Sequence, residues 1–550
     1  MKKTLTILAV FFCLCAGAKD QVRTLDVIPM PQSVQWGSGN FKLNGVNINH
    51  DSSLEEATID AISKFADDLY VASGKPGSQA SAAGVGAKSP ISSLKGIYFL
   101  RDGGMKAESY RIEIGNKAVK VTAPDHNGFL YAISTIRQML PEEIYSGRTA
   151  KAKWVLPCCT IEDYPRFAYR GVLFDCGRHF FKLDVIKKLL DVMAMYKLNR
   201  LHWHLTEDQG WRAEIKKFPR LTEVGAYRNG TQVGYEKNTN DHIRYGGYYT
   251  QEEMKEVVAY AARLGITVVP EVDLPGHMVA ALASYPELGC TGGPYEVEHR
   301  WGVAKEVLCA GQEKTYEFLF GVLDEICEIF PSEYIHIGGD ECPKTRWKEC
   351  PRCQAKIAEL GLKDDANGTK EQRLQNYVTK RVQDHLAAKG RKIIGWDEIL
   401  EGDLGKGATV MSWRGTKGGI KASAMGFDVI MTPNTYCYFD YRQGETPEDK
   451  SIGAGYYSKF LTTEIVYGYE PFAGLADDAS KHILGVQANV WTEHIASTES
   501  LEYMLLPRLF AISEVQWCKP ENKDYGRFCK VVREKELKIM DILGYGYRPF

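Results

Sequence analysis

The stretch HIGGDECPKTRW, residues 336–347, places two acids, Asp340 and Glu341, side by side after a pair of glycines. Neighbours on a strand point to opposite faces, so these two carboxyls cannot oppose each other across a bond in the way that two-carboxylate glycosidases require. They are not isolated. Acids, His, Arg and Trp recur in FDCGRHF, HWHLTED, PEVDLPGH, GWDE, SWRG, YCYFDY and VWTEH. Indole faces stack on the apolar faces of sugar rings, while carboxylates and guanidinium groups pair with hydroxyls. Trp396, Trp413 and Trp491 are placed to wall a slot for one sugar.

Each cluster closes an apolar, strand-like run: 169–175, 199–205, 266–272, 333–339, 392–398, 409–413, 428–432 and 485–491. Amphipathic stretches at 185–199, 250–265 and 372–390 carry apolar residues at helical spacing between them. Eight strand–helix units over residues 165–550 predict a (β/α)8 barrel with enlarged loops, whose strand ends converge on one face. A doubly wound sheet is the alternative, but it gives no reason for polar residues at every strand end. Residues 19–164 predict a smaller α+β domain. ESYRIEIGNKAVKVTA (108–123) alternates like half-buried strand, HNGFLYAISTIRQML (126–140) has helical spacing, and 74–89 reads as a Gly/Ala/Ser-rich loop.

The chain has 68 basic and 70 acidic residues among 550, with no long block of either sign, so no nucleic-acid or polybasic membrane surface is expected. Residues 1–18 have the basic pair, apolar run and Ala16-Gly17-Ala18 site of a secretory signal peptide, which predicts an exported, periplasmic or extracellular protein. Cys13 and Cys15 fit a lipid-anchor site poorly, and no later run is long and apolar enough to span a bilayer. Export implies an oxidising setting for the remaining cysteines. Cys290 and Cys309 flank a Gly-rich loop and could close it. Cys342, Cys350 and Cys353 lack a well-spaced fourth zinc ligand, so a local disulfide or buried thiols are expected there, and no metal.

HIGGDE, HWHLTEDQGWR, PEVDLPGH, GWDE and VWTEH together resemble glycoside hydrolase family 20, the β-N-acetylhexosaminidases; IPMPQSVQW (28–36) and GFLYAISTIRQML resemble the small domain preceding the barrel in that family. The resemblance covers nearly all of the chain beyond residue 18. It implies an exo-acting, retaining enzyme that removes terminal N-acetylglucosamine or N-acetylgalactosamine from glycans without a cofactor. Glu341 would be the general acid, its pKa raised by apolar walls. Asp340 would orient the 2-acetamido group, whose carbonyl oxygen attacks the anomeric carbon to give an oxazolinium intermediate. Tyr438 would bond the acetamido oxygen, with Trp396, Trp413 and Trp491 around the methyl and ring. Arg178 would hold the 3- and 4-hydroxyls, Glu493 the 4-hydroxyl and Asp440 the 6-hydroxyl. His277 would stand behind Glu341, paired with Glu207 or Asp208; many relatives carry two aspartates where this chain has Glu207-Asp208. The resemblance leaves the oligomeric state and the sugar preference open.

Two competing readings make different predictions. His202, His204, His277 and His336 with an acid could form a metal-dependent amidohydrolase site, which a chelator would silence. A glycan-binding protein on a hydrolase scaffold would bind N-acetylglucosamine and release nothing.

Overall fold

A computed structural model describes residues 24–550 except 82–83, 367, 403, 455–459 and 477. The leader-like segment, with Cys13 and Cys15, lies outside the described residues. The amino-terminal part forms a seven-stranded sheet in the order Ser33–Lys42, Val155–Asp163, Tyr110–Ile114, Ala118–Ala123, Gly96–Arg101, Ile48–His50 and Gln79–Ser81. The alternating stretch at 108–123 becomes a hairpin, with Arg111 opposite Thr122 and Ile114 opposite Val119. Helix His126–Met139 begins at Asp125, whose carboxylate accepts the Gly128 N–H at 2.9 Å, and it buries Phe129, Ala132, Ile133 and Ile136 on one face. Gln79–Ser81, inside the stretch read as loop, pairs with Ile48–His50 and adds a short edge strand.

All eight predicted runs are strands of a closed parallel barrel, in chain order Tyr169–Asp175, Arg200–His204, Thr267–Glu271, Tyr334–His336, Lys392–Trp396, Thr409–Ser412, Asp428–Met431 and Ile483–Val490. Capping boxes start two of the outer helices, Thr250 with Glu253 at Gln251–Arg263 and Thr369 with Gln372 at Lys370–Ala388. The main core lies between strands and helices. A separate interior layer of Tyr169, Leu173, Val269, Ile394, Trp396, Met411 and Ile430 fills the barrel itself. Above it the register aligns Asp175, His204, Glu271 and His336 on four neighbouring strands, so their polar groups meet at one end.

One expectation is overturned. Cys350 and Cys353 do not lack partners, because the long loop after the third strand folds back and delivers Cys290 and Cys309 beside them, while Cys342 stands outside the group. Ligand spacing along the chain cannot show that fold-back. Among the described residues no helix is long and apolar enough to cross a membrane.

The small domain grips the opposite end of the barrel from the polar row. Lys197, buried between the first helix and second strand, donates to Asp163 at 3.0 Å, and the Trp517 indole N–H donates to the same carboxylate at 2.9 Å. Glu108 accepts from Arg170 at 2.9 Å and from Asn199 at 3.0 Å. Burial pushes the Glu108 carboxyl up, but the charge and hydrogen bonds of Arg170 outweigh it and hold its pKa down at about 2. A depressed acid stabilises the fold fully above its unfolded pKa, near 4.5, and loses that contribution as pH falls towards 2. Glu108→Gln should therefore lower stability at neutral pH by about 2–3 kcal/mol and flatten its decline between pH 5 and 2. Urea midpoints measured across that range check both effects.

Candidate active site

The loops after the strands enclose a cavity of about 260 Å³ at the carboxyl-terminal mouth of the barrel, lined among others by Arg178, Asp340, Glu341, Trp413, Tyr438 and Asp440. Its depth is set by backbone. Gly338 (φ 62°) and Gly339 (φ 95°) turn the chain sharply off the fourth strand, and Glu341 itself is left-handed at φ 43°. A Cβ on Gly338 would lie 1.7 Å from Asp273 Oδ1, the same oxygen that accepts the Gly339 N–H at 3.1 Å. The turn brings Asp340 and Glu341 to the same His277. Its Nε2 lies 3.9 Å from Asp340 and 3.6 Å from Glu341, and its own backbone is left-handed at φ 50°.

Behind His277 stands Glu207, fully buried with two donors on each oxygen. Oε1 faces His277 Nδ1 at 2.7 Å and the Asp208 N–H at 2.9 Å; Oε2 faces Arg178 at 2.9 Å and His204 at 3.2 Å. Asp208 lies 3.4 Å from the same imidazole nitrogen and accepts the Val279 N–H at 3.0 Å. Both acids thus reach His277, Glu207 the more closely. His204 turns its other nitrogen to Glu271, which also faces His202 at 3.0 Å, His336 at 2.9 Å and the Trp396 N–H at 2.9 Å. His202 and His336 share a cluster with Glu271 inside the barrel, whereas His277 stands in a different one with Glu207 and Asp208, so the four histidines of the amidohydrolase reading do not meet at one point.

The walls are aromatic. Trp413 stacks with Tyr438 (6.0 Å between centroids, 20° between planes), and Tyr438 leans on Trp491 at 6.3 Å. Trp396 lies deeper than the other two. It is 1% exposed, packs 5.8 Å from Trp491, and supports the cavity from below rather than lining it. The Arg178 guanidinium sits over the Trp491 ring at 4.9 Å. Asp175 ties the first strand's loop to the eighth's: it accepts from Gly177 at 2.8 Å, Arg178 N–H at 3.2 Å and Thr492 N–H at 3.0 Å. Arg178 and Glu493 are thereby set side by side. One oxygen each of Asp340 and Asp440 is buried without a hydrogen-bond partner.

The charges differ from the simple expectation for Glu341. Desolvation pushes its carboxyl up, but the hydrogen bond and charge of His277, with Arg178 behind, outweigh it and leave its pKa below the ordinary value. The apolar walls that were expected to raise it flank Tyr438 instead, and the Glu341 side chain is 38% exposed. Asp340 goes the other way, to about 6, because burial and then the Glu341 charge outweigh the attraction of His277. His277 is held well above its usual range, since the charge of Glu207 and bonds to Asp208 and Glu207 overcome its burial.

Family models agree with this geometry. "Glycosyl hydrolase family 20, catalytic domain" matches residues 167–520 and "Glycosyl hydrolase family 20, domain 2" matches 24–164. The chain belongs to glycosyl hydrolase family 20. It is 42% identical to a β-hexosaminidase of Porphyromonas gingivalis over 80% of this chain, though it spans only 55% of that protein's length. It is 34% identical to a β-hexosaminidase of Vibrio furnissii over 89% of this chain and 76% of the relative. Its fold is similar to the family-20 exo-β-N-acetylglucosaminidase of Vibrio harveyi in complex with N-acetylglucosamine, with TM-score 0.81 and 31% identity over 96% of this chain and 78% of that one.

Several residues of this family-20 site carry no individual signal in the sequence. Asp273, in the PEVDLPGH motif, lies against Asp340 and His277; burial and then the Asp340 charge raise its pKa well above normal. Glu398, in GWDE, accepts the Trp413 indole N–H at 3.0 Å, and burial with the Asp340 charge raises it to about 8. Trp301 reaches the cavity from a loop with no periodic pattern. Arg508, fully buried on helix Arg508–Trp517, donates to the carbonyls of Phe439 and of Tyr441 (3.0 Å), on either side of Asp440. Only its place in the fold reveals that role. The glycine turn yields the sharpest prediction: Gly338→Ala should displace Asp340 and Glu341 enough to cost about 100-fold or more in kcat, with the protein still folded by circular dichroism.

Proposed function

We propose that this chain is a retaining exo-β-N-acetylhexosaminidase that removes one terminal N-acetylglucosamine or N-acetylgalactosamine from a glycan, with the substrate's own acetamido oxygen as nucleophile. The observation that carries this reading is the unequal setting of two neighbouring acids. Glu341 is half open to solvent at the mouth. Asp340, 14% exposed, lies deeper in the cavity, which Tyr438 and Trp413 also line. A group at the mouth suits protonation of the leaving oxygen. A buried carboxylate beside an aromatic wall suits the acetamido N–H and the positive charge that grows on it. Hydroxyls at the other side of the ring meet Arg178, Glu493 and Asp440. The cavity lies below the roughly 300–1,000 Å³ of drug-sized sites, which favours a single ring. The matched relatives named β-hexosaminidases support the same activity, and the leader-like residues 1–18 support action outside the cytoplasm.

Attack by the acetamido oxygen forms its bond to the anomeric carbon as the glycosidic C–O bond breaks and Glu341 gives its proton to the departing oxygen. Water, deprotonated by Glu341, then opens the oxazolinium ring with the configuration retained. In the free enzyme Glu341 titrates below the ordinary carboxyl value and Asp340 at about 6, so the two acids share one proton just below pH 6 and hold none above it. The kcat/KM profile should therefore fall above about pH 6. A bound sugar covers the exposed side of Glu341 and raises its pKa, so the alkaline limb of kcat should lie at higher pH than that of kcat/KM.

Leaving-group and substituent series test the mechanism. Glu341→Gln should lose about 10²–10⁴ in kcat on poor aryl leaving groups and much less on activated ones. Asp340→Asn should lose about 10²–10³ in kcat with sugar binding largely kept. Fluorinating the acetyl methyl should slow the native enzyme progressively. Trapping of a covalent glycosyl-enzyme, or an Asp340→Asn variant as active as the native chain, would refute the substrate-assisted route.

A further inference from the structure

Outside the active site, the loop after the third strand and the loop after the fourth bring four thiols together. The Sγ atoms of Cys290, Cys309, Cys350 and Cys353 all lie within 4.8 Å of one another. Three of the separations are nearly equal: Cys290 to Cys353 is 3.9 Å, Cys309 to Cys350 is 3.8 Å and Cys309 to Cys353 is 3.7 Å. A disulfide pattern would give each sulfur one near partner, whereas here Cys309 and Cys353 each have two. Four sulfurs held about 2.3 Å from one zinc ion form a tetrahedron with edges of about 3.8 Å. The separations match that figure. A multi-iron cluster would spread its cysteines farther apart.

The surroundings suit four thiolates. Cys350 and Cys353 have the x₂ spacing of a zinc knuckle and sit at the amino-terminal end of helix Pro351–Glu359. The Arg352 guanidinium holds the Gly289 carbonyl at 2.9 Å and the Cys290 carbonyl at 3.3 Å, which ties the first loop to the helix that carries Cys353. Gly311 approaches the Arg352–Cys353 backbone so closely that a Cβ would meet it at 2.3 Å. The two loops are therefore fitted to each other at the backbone, before any ion is considered.

We propose that Cys290, Cys309, Cys350 and Cys353 form a structural zinc site, closed to substrate and separate from the catalytic chemistry. Binding replaces the four thiol protons with one Zn²⁺, and the ion then cross-links the segment 290–309 to the segment that follows Asp340 and Glu341. The first of these carries Trp301, Gly302 and Val303 to the cavity; the second begins with the catalytic pair. The ion would fix one wall of the sugar site relative to its acids.

The test uses the full chain purified without chelator or metal-affinity tag. Elemental analysis should find about one zinc per chain, and X-ray absorption should find four sulfur neighbours at about 2.3 Å. Cobalt exchange should give the visible bands and thiolate charge-transfer absorption of a tetrahedral tetrathiolate. Cys290→Ser and Cys353→Ser should each lose the ion or bind it at least tenfold more weakly, while Cys327→Ser, on helix Glu313–Ile329, should keep it in full. Three results would overturn the proposal: non-reducing peptide maps showing these cysteines joined in two disulfides, stoichiometric iron in place of zinc, or full zinc content in Cys290→Ser and Cys353→Ser. Metal content and spectra are read on folded protein independently of hydrolysis, so the outcome stands apart from the assigned activity.

Discussion

A carboxylate with no access to water organises this active site. Glu207 is 1% exposed, and its charge is tolerated only because four donors converge on its two oxygens. Two of those donors face opposite ends of the cavity. Through His277 it governs the acids at the mouth, and through Arg178 it governs the end where hydroxyls are held. His204 links it to Glu271 inside the barrel, and the charge of Glu271 with hydrogen bonds to Glu207 and Glu271 overcomes burial to raise that imidazole to about 10. A run of alternating charges thus extends from barrel interior to cavity, and removing any one member leaves its neighbours buried and uncompensated. The Glu-for-Asp difference at 207 is accommodated because the longer side chain still reaches His277, Arg178 and His204 at once.

The electrostatics divide two neighbours that the sequence makes look alike. Asp340 stands near two carboxyls whose pKa is pushed up, Asp273 well above its ordinary value and Glu398 to about 8, both by burial and then by the Asp340 charge. Glu341 is turned towards His277 and solvent. A single imidazolium touches both, but it wins against desolvation only at the more exposed one. Burial and the neighbouring charges, and not residue type, decide which acid titrates higher before a sugar is bound.

The barrel was legible because its strands are buried on both faces and end in polar residues, a pattern that survives in one dimension; all eight runs reappear as strands. Asp340, Glu341, Arg178, Tyr438, Asp440 and Glu493 were legible because the motifs around them are compact, and the structure gathers them at one cavity. Asp273, Glu398, Trp301 and Arg508 were not. Their roles come from what lies opposite them on a different strand or helix, and no local spacing encodes that. The further thiols beside Cys350 and Cys353 were missed for the same reason: 18 residues of irregular loop separate Cys290 from Cys309, and only the folded loop shows them together. The expected high pKa of Glu341 failed because His277, expected behind it, has its own pKa pushed up by Glu207, and its charge and hydrogen bond outweigh the desolvation of Glu341.

The space between Gly338 and Asp273 has a consequence for protein engineering. The acids owe their placement to a main-chain turn that admits no Cβ, with a carboxyl from the neighbouring strand filling the room a side chain would take. Transplanting an Asp-Glu dipeptide onto another barrel strand would carry over the functional groups but not their directions. A working graft would need the glycine pair and the opposing aspartate as one cassette, spanning two strands.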